Sequence, residues 1–192
     1  MIPELIEAFD DSFQSLGFLD RKMVHDHQLW HKVCSYFVIN PQKGILFHER
    51  SPYKTKAGLI GADSAGGHLS QGKNIQDELF EELGLSTPLN FLGTGILNIS
   101  QNKEIIFLYT TVTNQEDFII DSNEMLDVFW LDYTTALKFF QKTILEIEVF
   151  YIKSQTKKTL TIDSFVEKNP DWYLNILWNL RDIFLEEKKD SI

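Results

Sequence analysis

The stretch "KVCSYFVINPQKGILFHER", residues 32–50, constrains the fold more than any other part of the chain. Two apolar, β-prone runs flank "NPQKG", whose Pro and Gly suit a turn, so the segment reads as a β-hairpin. Further strands are predicted at 90–99 and 104–112, with "SQNK" between them as a turn, and in "DVFWLD" at 127–132. Residues 2–16 instead place Ile2, Leu5, Ile6, Phe9, Phe13 and Leu16 at helical spacing before Gly17, which predicts an N-terminal helix. A helix is also predicted at about 134–142. A last one is predicted over 171–187, where Trp172, Ile176, Trp178 or Leu180, and Ile183 recur at helical spacing. Hairpins and strand–helix order occur together, which implies α/β or α+β layering. The length of 192 residues, 43% of them hydrophobic, is that of one domain with a sizeable core.

Composition removes several classes of function. No apolar run approaches the roughly 18–20 residues of a membrane span. The acidic, amphipathic start "MIPELIEAFDDSF" lacks the basic flank and cleavage site of a secretory signal. A net charge of -10 argues against broad contact with a nucleic-acid backbone. It leaves room for a small phosphorylated ligand, whose charge local basic residues or a metal can offset. Cys34 is the single cysteine, so no internal disulfide can form and a cytoplasmic location is expected. Its place in a predicted strand marks it as a buried structural thiol.

Chemistry concentrates in "GGHLSQGKNIQDELFEELGL", residues 66–85. A glycine-led loop runs into a helix that Asn74 can cap, with Asp77 in the capping-box position and Gly84 as the stop. Asp77, Glu78, Glu81 and Glu82 crowd this helix, although like charges at helical spacing repel and lie near its negative end. Glu78, Glu81 and Glu82 share one face, while Ile75, Leu79 and Leu83 would anchor another to a core. Either the acidic face is solvated or a cation belongs there. A hard divalent ion such as Mg²⁺ wants carboxylate oxygens, and the preceding glycines let the backbone approach a ligand closely. Arg50 and Lys54, in "RSPYK", are cations in a loop and could bind phosphate oxygens.

"GGHLSQGK…DELFEELGL" resembles the Nudix box. Gly67 matches its opening glycine, and Glu78, Leu79, Glu81, Glu82, Gly84 and Leu85 match its second half without a gap. "LWHKVCSYFVIN", "RSPYK" and "SAGGHLSQG" are similar to the subgroup related to isopentenyl-diphosphate isomerase. "NEMLDVFWL" resembles the acidic segment and Trp-containing strand late in Nudix domains. The likeness covers about residues 20–140 of a single domain, with helical extensions at both ends. Two box positions differ: Lys73 stands for the first glutamate and Asp77 for the arginine, with three residues between them where the box has seven.

The resemblance implies a Nudix-type α/β/α sandwich with a mixed sheet. It implies a MutT-like pyrophosphatase, a hydrolase using Mg²⁺ or Mn²⁺ on a diphosphate linked to another moiety. Glu78, Glu81, Glu82 and the Gly66 carbonyl would hold the metal, and Glu78 or Glu124 would act as base. Arg50, Lys54 and His68 would contact substrate. Asp121 and Asp127 compete with Glu124 for its role. His31 and His68 fall where the isomerase places metal-binding histidines, and His25 lies near the third. The isomerase's catalytic cysteine has no counterpart, because "GGHL" replaces its segment. The expected partner is a small-molecule diphosphate, with no nucleic acid and no membrane; a homodimer is left open. Isopentenyl-diphosphate isomerisation and a catalytically inactive binding domain, favoured by Lys73 and Asp77, are the two alternative functions.

Overall fold

The computed structural model describes residues 3–99 and 102–186. The chain opens with strands β1 (Leu5–Phe9) and β2 (Ser15–Asp20), then a short helix α1 (Arg21–Asp26). The predicted hairpin follows as β3 (Trp30–Asn40) and β4 (Gly44–Arg50). Next come β5 (Ala65–His68), α2 (Ile75–Leu83), β6 (Asn90–Ile99) and β7 (Asn102–Val112). The C-terminal part holds β8 (Met125–Leu131), α3 (Tyr133–Phe140), a hairpin of β9 (Glu146–Phe150) and β10 (Lys157–Thr161), and α4 (Pro170–Glu186).

The first eight strands form one sheet with the path β2-β1-β3-β4-β8, onto which β5 and β7 add beside β3 and β6 adds beside β7. β7 runs parallel to β3 through ten paired positions, from Trp30↔Lys103 to Ile39↔Val112, and the other pairs are antiparallel. The sheet is therefore mixed. Because side chains alternate across a strand, the apolar runs of β3 and β4 supply both faces at once. Phe37 and Ile39 point into one layer with Phe47, Phe129 and the helix residues Phe139, Phe140, Tyr173 and Leu180. Tyr36 and Val38 point the other way, with Leu46, Val128 and the α2 residues Leu79 and Leu83. Helices thus cover both faces, giving the α/β/α sandwich. Each fully buried Phe or Leu contributes about 1.5–3 kcal/mol of burial free energy, so these two layers dominate the fold's stability.

The N-terminus departs from expectation: residues 5–20 form a β-hairpin where a helix is predicted, and Ile2 lies outside the described residues. Asp10 breaks the helix. Its carboxylate accepts the backbone N–H groups of Ser12 and Gln14 at 2.8 and 2.9 Å, and Phe13 takes a left-handed φ of 58°. Ile6 and Ala8, two apart, are then fully buried, and Ala8 pairs with His31 on β3. Tertiary pairing overrides the helical spacing. At the other end α4 forms as predicted over the described residues, with Leu180 buried and Trp178 left 56% exposed. Ser100 and Gln101 of the predicted "SQNK" turn, and residues 187–192, lie outside the described residues.

Candidate active site at the glycine strand

Local chemistry fixes α2 at both ends. Asn74 accepts the N–H groups of Gln76 and Asp77, and the Asp77 carboxylate accepts the Asn74 N–H at 2.9 Å. Gly84 closes the helix at a φ of 69°, a conformation that costs glycine no steric penalty. With Leu79 and Leu83 in the core, the helix lies against β5, whose Gly66 and Gly67 pair with Ser35 and Cys34.

The three glutamates are then not equivalent. Glu82 is 4% exposed, and its Oε2 accepts the Gly66 N–H at 3.2 Å. Burial, reinforced by Glu124 and Glu78, raises its carboxyl well above the usual range. Glu78 is less enclosed and is also raised by burial. A Cβ built on Gly67 would stand 2.0 Å from Glu78 Oε1, so only glycine lets this carboxylate approach the strand. Glu81 faces outward, its side chain 52% exposed. The Lys73 ammonium meets Glu81 Oε2 at 2.5 Å and stands 3.8 Å from Glu78 Oε2.

A cleft of about 1120 Å³ opens over these groups. Its lining includes Gly66, Glu78, Glu81, Glu82, Arg50 and Lys54, together with Glu124. Arg50 ends β4 at a bulge, a device that re-aims a side chain, and its Nε donates to the Thr55 carbonyl at 3.0 Å. Lys54 forms an ion pair with Glu124. That contact joins a residue expected on phosphate to one expected as a base. Asp127 is turned away from the cleft and accepts the N–H groups of Val128, Lys153 and Ser154, each at 2.8 Å. Asp121 stays on the cleft wall but spends Oδ1 on the Asn123 N–H at 2.9 Å. Of the three late acids, Glu124 is the one whose charge raises Glu82 and Glu78.

His25 and His68 line the cleft and converge with the buried His31, with one nitrogen of each within 4.8 Å of the others. His68 Nε2 lies 3.2 Å from His25 Nε2, and its ring stacks on His31. His31 Nδ1 is 3.0 Å from the Leu29 carbonyl, which makes it the donor and leaves the buried Nε2 lone pair without a partner among the described residues. Burial lowers all three histidines, His68 to about 2, and so favours neutral imidazoles. Neutral imidazoles suit a transition metal, whereas the oxygen set of Glu78, Glu81 and Glu82 suits a hard ion. Cys34 is 3% exposed, and burial raises its thiol to about 11, as a structural cysteine requires.

Asp63 is a cleft residue for which the sequence carries no motif signal. Ser35 Oγ donates to its Oδ2, and burial lifts the carboxyl to about 7. It stands so close to Gly66 that an added Cβ there would lie 2.6 Å from Oδ2.

A mixed-sheet α/β/α sandwich that lays a glutamate-bearing helix on a double-glycine strand has the architecture of the Nudix fold. No family model matches the chain. An uncharacterised Nudix hydrolase of Clostridium acetobutylicum is 25% identical to it, over 95% of this chain and 99% of that one. The crystal structure of DR0079 from Deinococcus radiodurans matches with a TM-score of 0.58 at 18% identity, over 72% of this chain and 90% of that one. A MutT protein of Methanosarcina mazei matches with a TM-score of 0.48 at 18% identity, over 56% of this chain and 80% of that one. The curated relative that the chain matches almost end to end carries the name of a Nudix hydrolase.

Proposed function

We propose that the protein is a divalent-metal-dependent hydrolase that cleaves the pyrophosphate bond of a diphosphate, such as a nucleoside diphosphate, linked to another moiety. The observation that carries this is the placement of Glu82. A buried carboxylate beside Glu78 and against the Gly66 N–H, at a cleft that also holds Arg50 and Lys54, is costly unless a cation or a proton is shared there. The donor chemistry fits Mg²⁺ or Mn²⁺: carboxylates of Glu78, Glu81 and Glu82 with the Gly66 carbonyl, all oxygens. Such an ion, when bound, polarises a phosphoryl oxygen and lowers the pKa of water.

The chain's own residues supply the rest. Arg50 and Lys54 hold the diphosphate, Arg50 through its planar fork and Lys54 as a point charge. Glu78 or Glu124 takes the proton of the attacking water. Glu78 lies against the Gly67 strand, and the ion pair of Lys54 with Glu124 couples the second candidate to substrate arrival. His68 also borders the cleft, where it can contact the substrate.

The test is a panel of nucleoside diphosphate derivatives with Mg²⁺ or Mn²⁺, coupled to a phosphatase that releases phosphate from each new monoester. Metal-dependent phosphate release is expected, and none across the panel would favour a binding domain without turnover. The isomerase reading draws on the His25–His31–His68 cluster. Rearrangement of isopentenyl diphosphate without phosphate release would support it, although Cys34 offers a buried, protonated thiol rather than an acid–base group.

A further inference from the structure

The cation already present among the carboxylates is Lys73. It precedes the Asn74 cap, while Glu81 lies near the end of the helix, seven residues and about 10 Å of helix axis beyond that cap. Helical side chains lean toward the N-terminus, so Glu81 reaches back as Lys73 reaches forward. They meet at 2.5 Å, with Glu78 Oε2 at 3.8 Å from the same ammonium. Lys73 is also tied at its backbone, donating its N–H to the Ser70 carbonyl at 3.1 Å after the turn at Gly72. Lys73 stands directly before the cap, which keeps its ammonium within reach of the glutamates; four more residues at this entry would carry it about one turn away.

Resting on the metal centre proposed above, we infer that Lys73 is a tethered cation that takes the place of a divalent ion on the Glu78–Glu81 side of the site. Glu78 and Glu81 share the ammonium, whereas Glu82 contacts only the Gly66 N–H in the described hydrogen bonds. A hard ion arriving at the site therefore competes with Lys73 for Glu78 and Glu81 but not for Glu82. The chain binds fewer divalent ions than its number of carboxylates suggests, and binds them more weakly than the same site would without the ammonium. Lys73 is a positioning residue here: it sets the charge and the count of ions without touching the reacting atoms.

Calorimetric titration with Mg²⁺, an ion that favours oxygen over imidazole, measures the count and affinity without substrate. Lys73→Met keeps the length of the side chain and removes its charge. It is expected to tighten Mg²⁺ on the order of 10-fold, or to add an ion per chain, because close charges of like sign no longer oppose the metal. Lys73→Arg keeps the charge and should titrate like the native protein. Lys73 is partly exposed, so both variants are expected to fold, which circular dichroism checks. Identical titrations of the native protein and Lys73→Met overturn the proposal. If both bind equally, the proposed metal centre stands without a role for Lys73. If neither binds, the metal centre falls with it.

Discussion

Gly67 and Glu78 form one unit: the carboxylate occupies the space where any other residue at 67 would carry its Cβ, 2.0 Å from Oε1. Gly67→Ala should push Glu78 off the strand and lower kcat by on the order of 100-fold, with the fold retained. Steady-state kinetics together with circular dichroism checks this; native activity would show that Glu78 need not sit against β5. Asp63 gives a second test at this scale, through pH. Burial raises its carboxyl from 3.8 to about 7, so the native state holds the proton more tightly than the unfolded chain does. Its contribution to stability is full below the unfolded value and is lost as pH rises through about 7. Asp63→Asn removes this titration. Urea unfolding of both proteins at about pH 5 and about pH 8 should show the variant gaining stability relative to the native chain as pH rises. A pH-independent difference would contradict the shift.

Helix α2 was legible in the sequence because its signals are local. The Asn74 cap, the Asp77 capping box, the Gly84 stop and the apolar Leu79 and Leu83 all act within a few residues of where they stand. The β3–β4 hairpin was legible for the same reason, its turn and both strands lying in one stretch. The N-terminal hairpin was not, because Leu5, Ile6, Phe9, Phe13 and Leu16 fit a helical spacing and only pairing with β3 decides against it. The β9–β10 hairpin also went unread, although Ile147, Val149 and Tyr151 are buried at a spacing of two, a signal the sequence does hold. Within the site, the charges and motif of the glutamates were visible. Their inequality was not, since burial of Glu82 and exposure of Glu81 depend on where β5 lies.

The capping box separates two roles for position 77. Asp77 stands where the Nudix box, which this segment resembles, has arginine, yet its carboxylate is committed to the Asn74 N–H. Asp77→Arg therefore removes a cap and should cost about 1 kcal/mol in urea unfolding. An unchanged unfolding midpoint would mean the cap contributes nothing, and position 77 would be free to take arginine.

At the scale of the whole molecule, the two-sided burial of β3, β4 and β8 holds the glycine strand, α2 and the basic loop around one cleft. In a chain of net charge -10, Arg50 and Lys54 place two cations on the wall of a cleft that also holds Glu78, Glu81 and Glu82. Among the described residues no helix is long and apolar enough to cross a membrane. The central claim is that the buried carboxylate of Glu82 serves a metal-dependent cleavage of a pyrophosphate bond. Phosphorus NMR of the best substrate with Mg²⁺ reads that chemistry directly, comparing the native protein with Glu82→Gln. Glutamine can still accept the Gly66 N–H and relieves the repulsion from Glu78 and Glu124, so the variant should be as stable as the native chain or slightly more so. Two phosphomonoester products are expected from the native protein, none in the presence of a chelator, and a rate about 100-fold lower or less in Glu82→Gln. Native-like cleavage by the folded variant, or by the native protein with the metal chelated, would contradict the central claim.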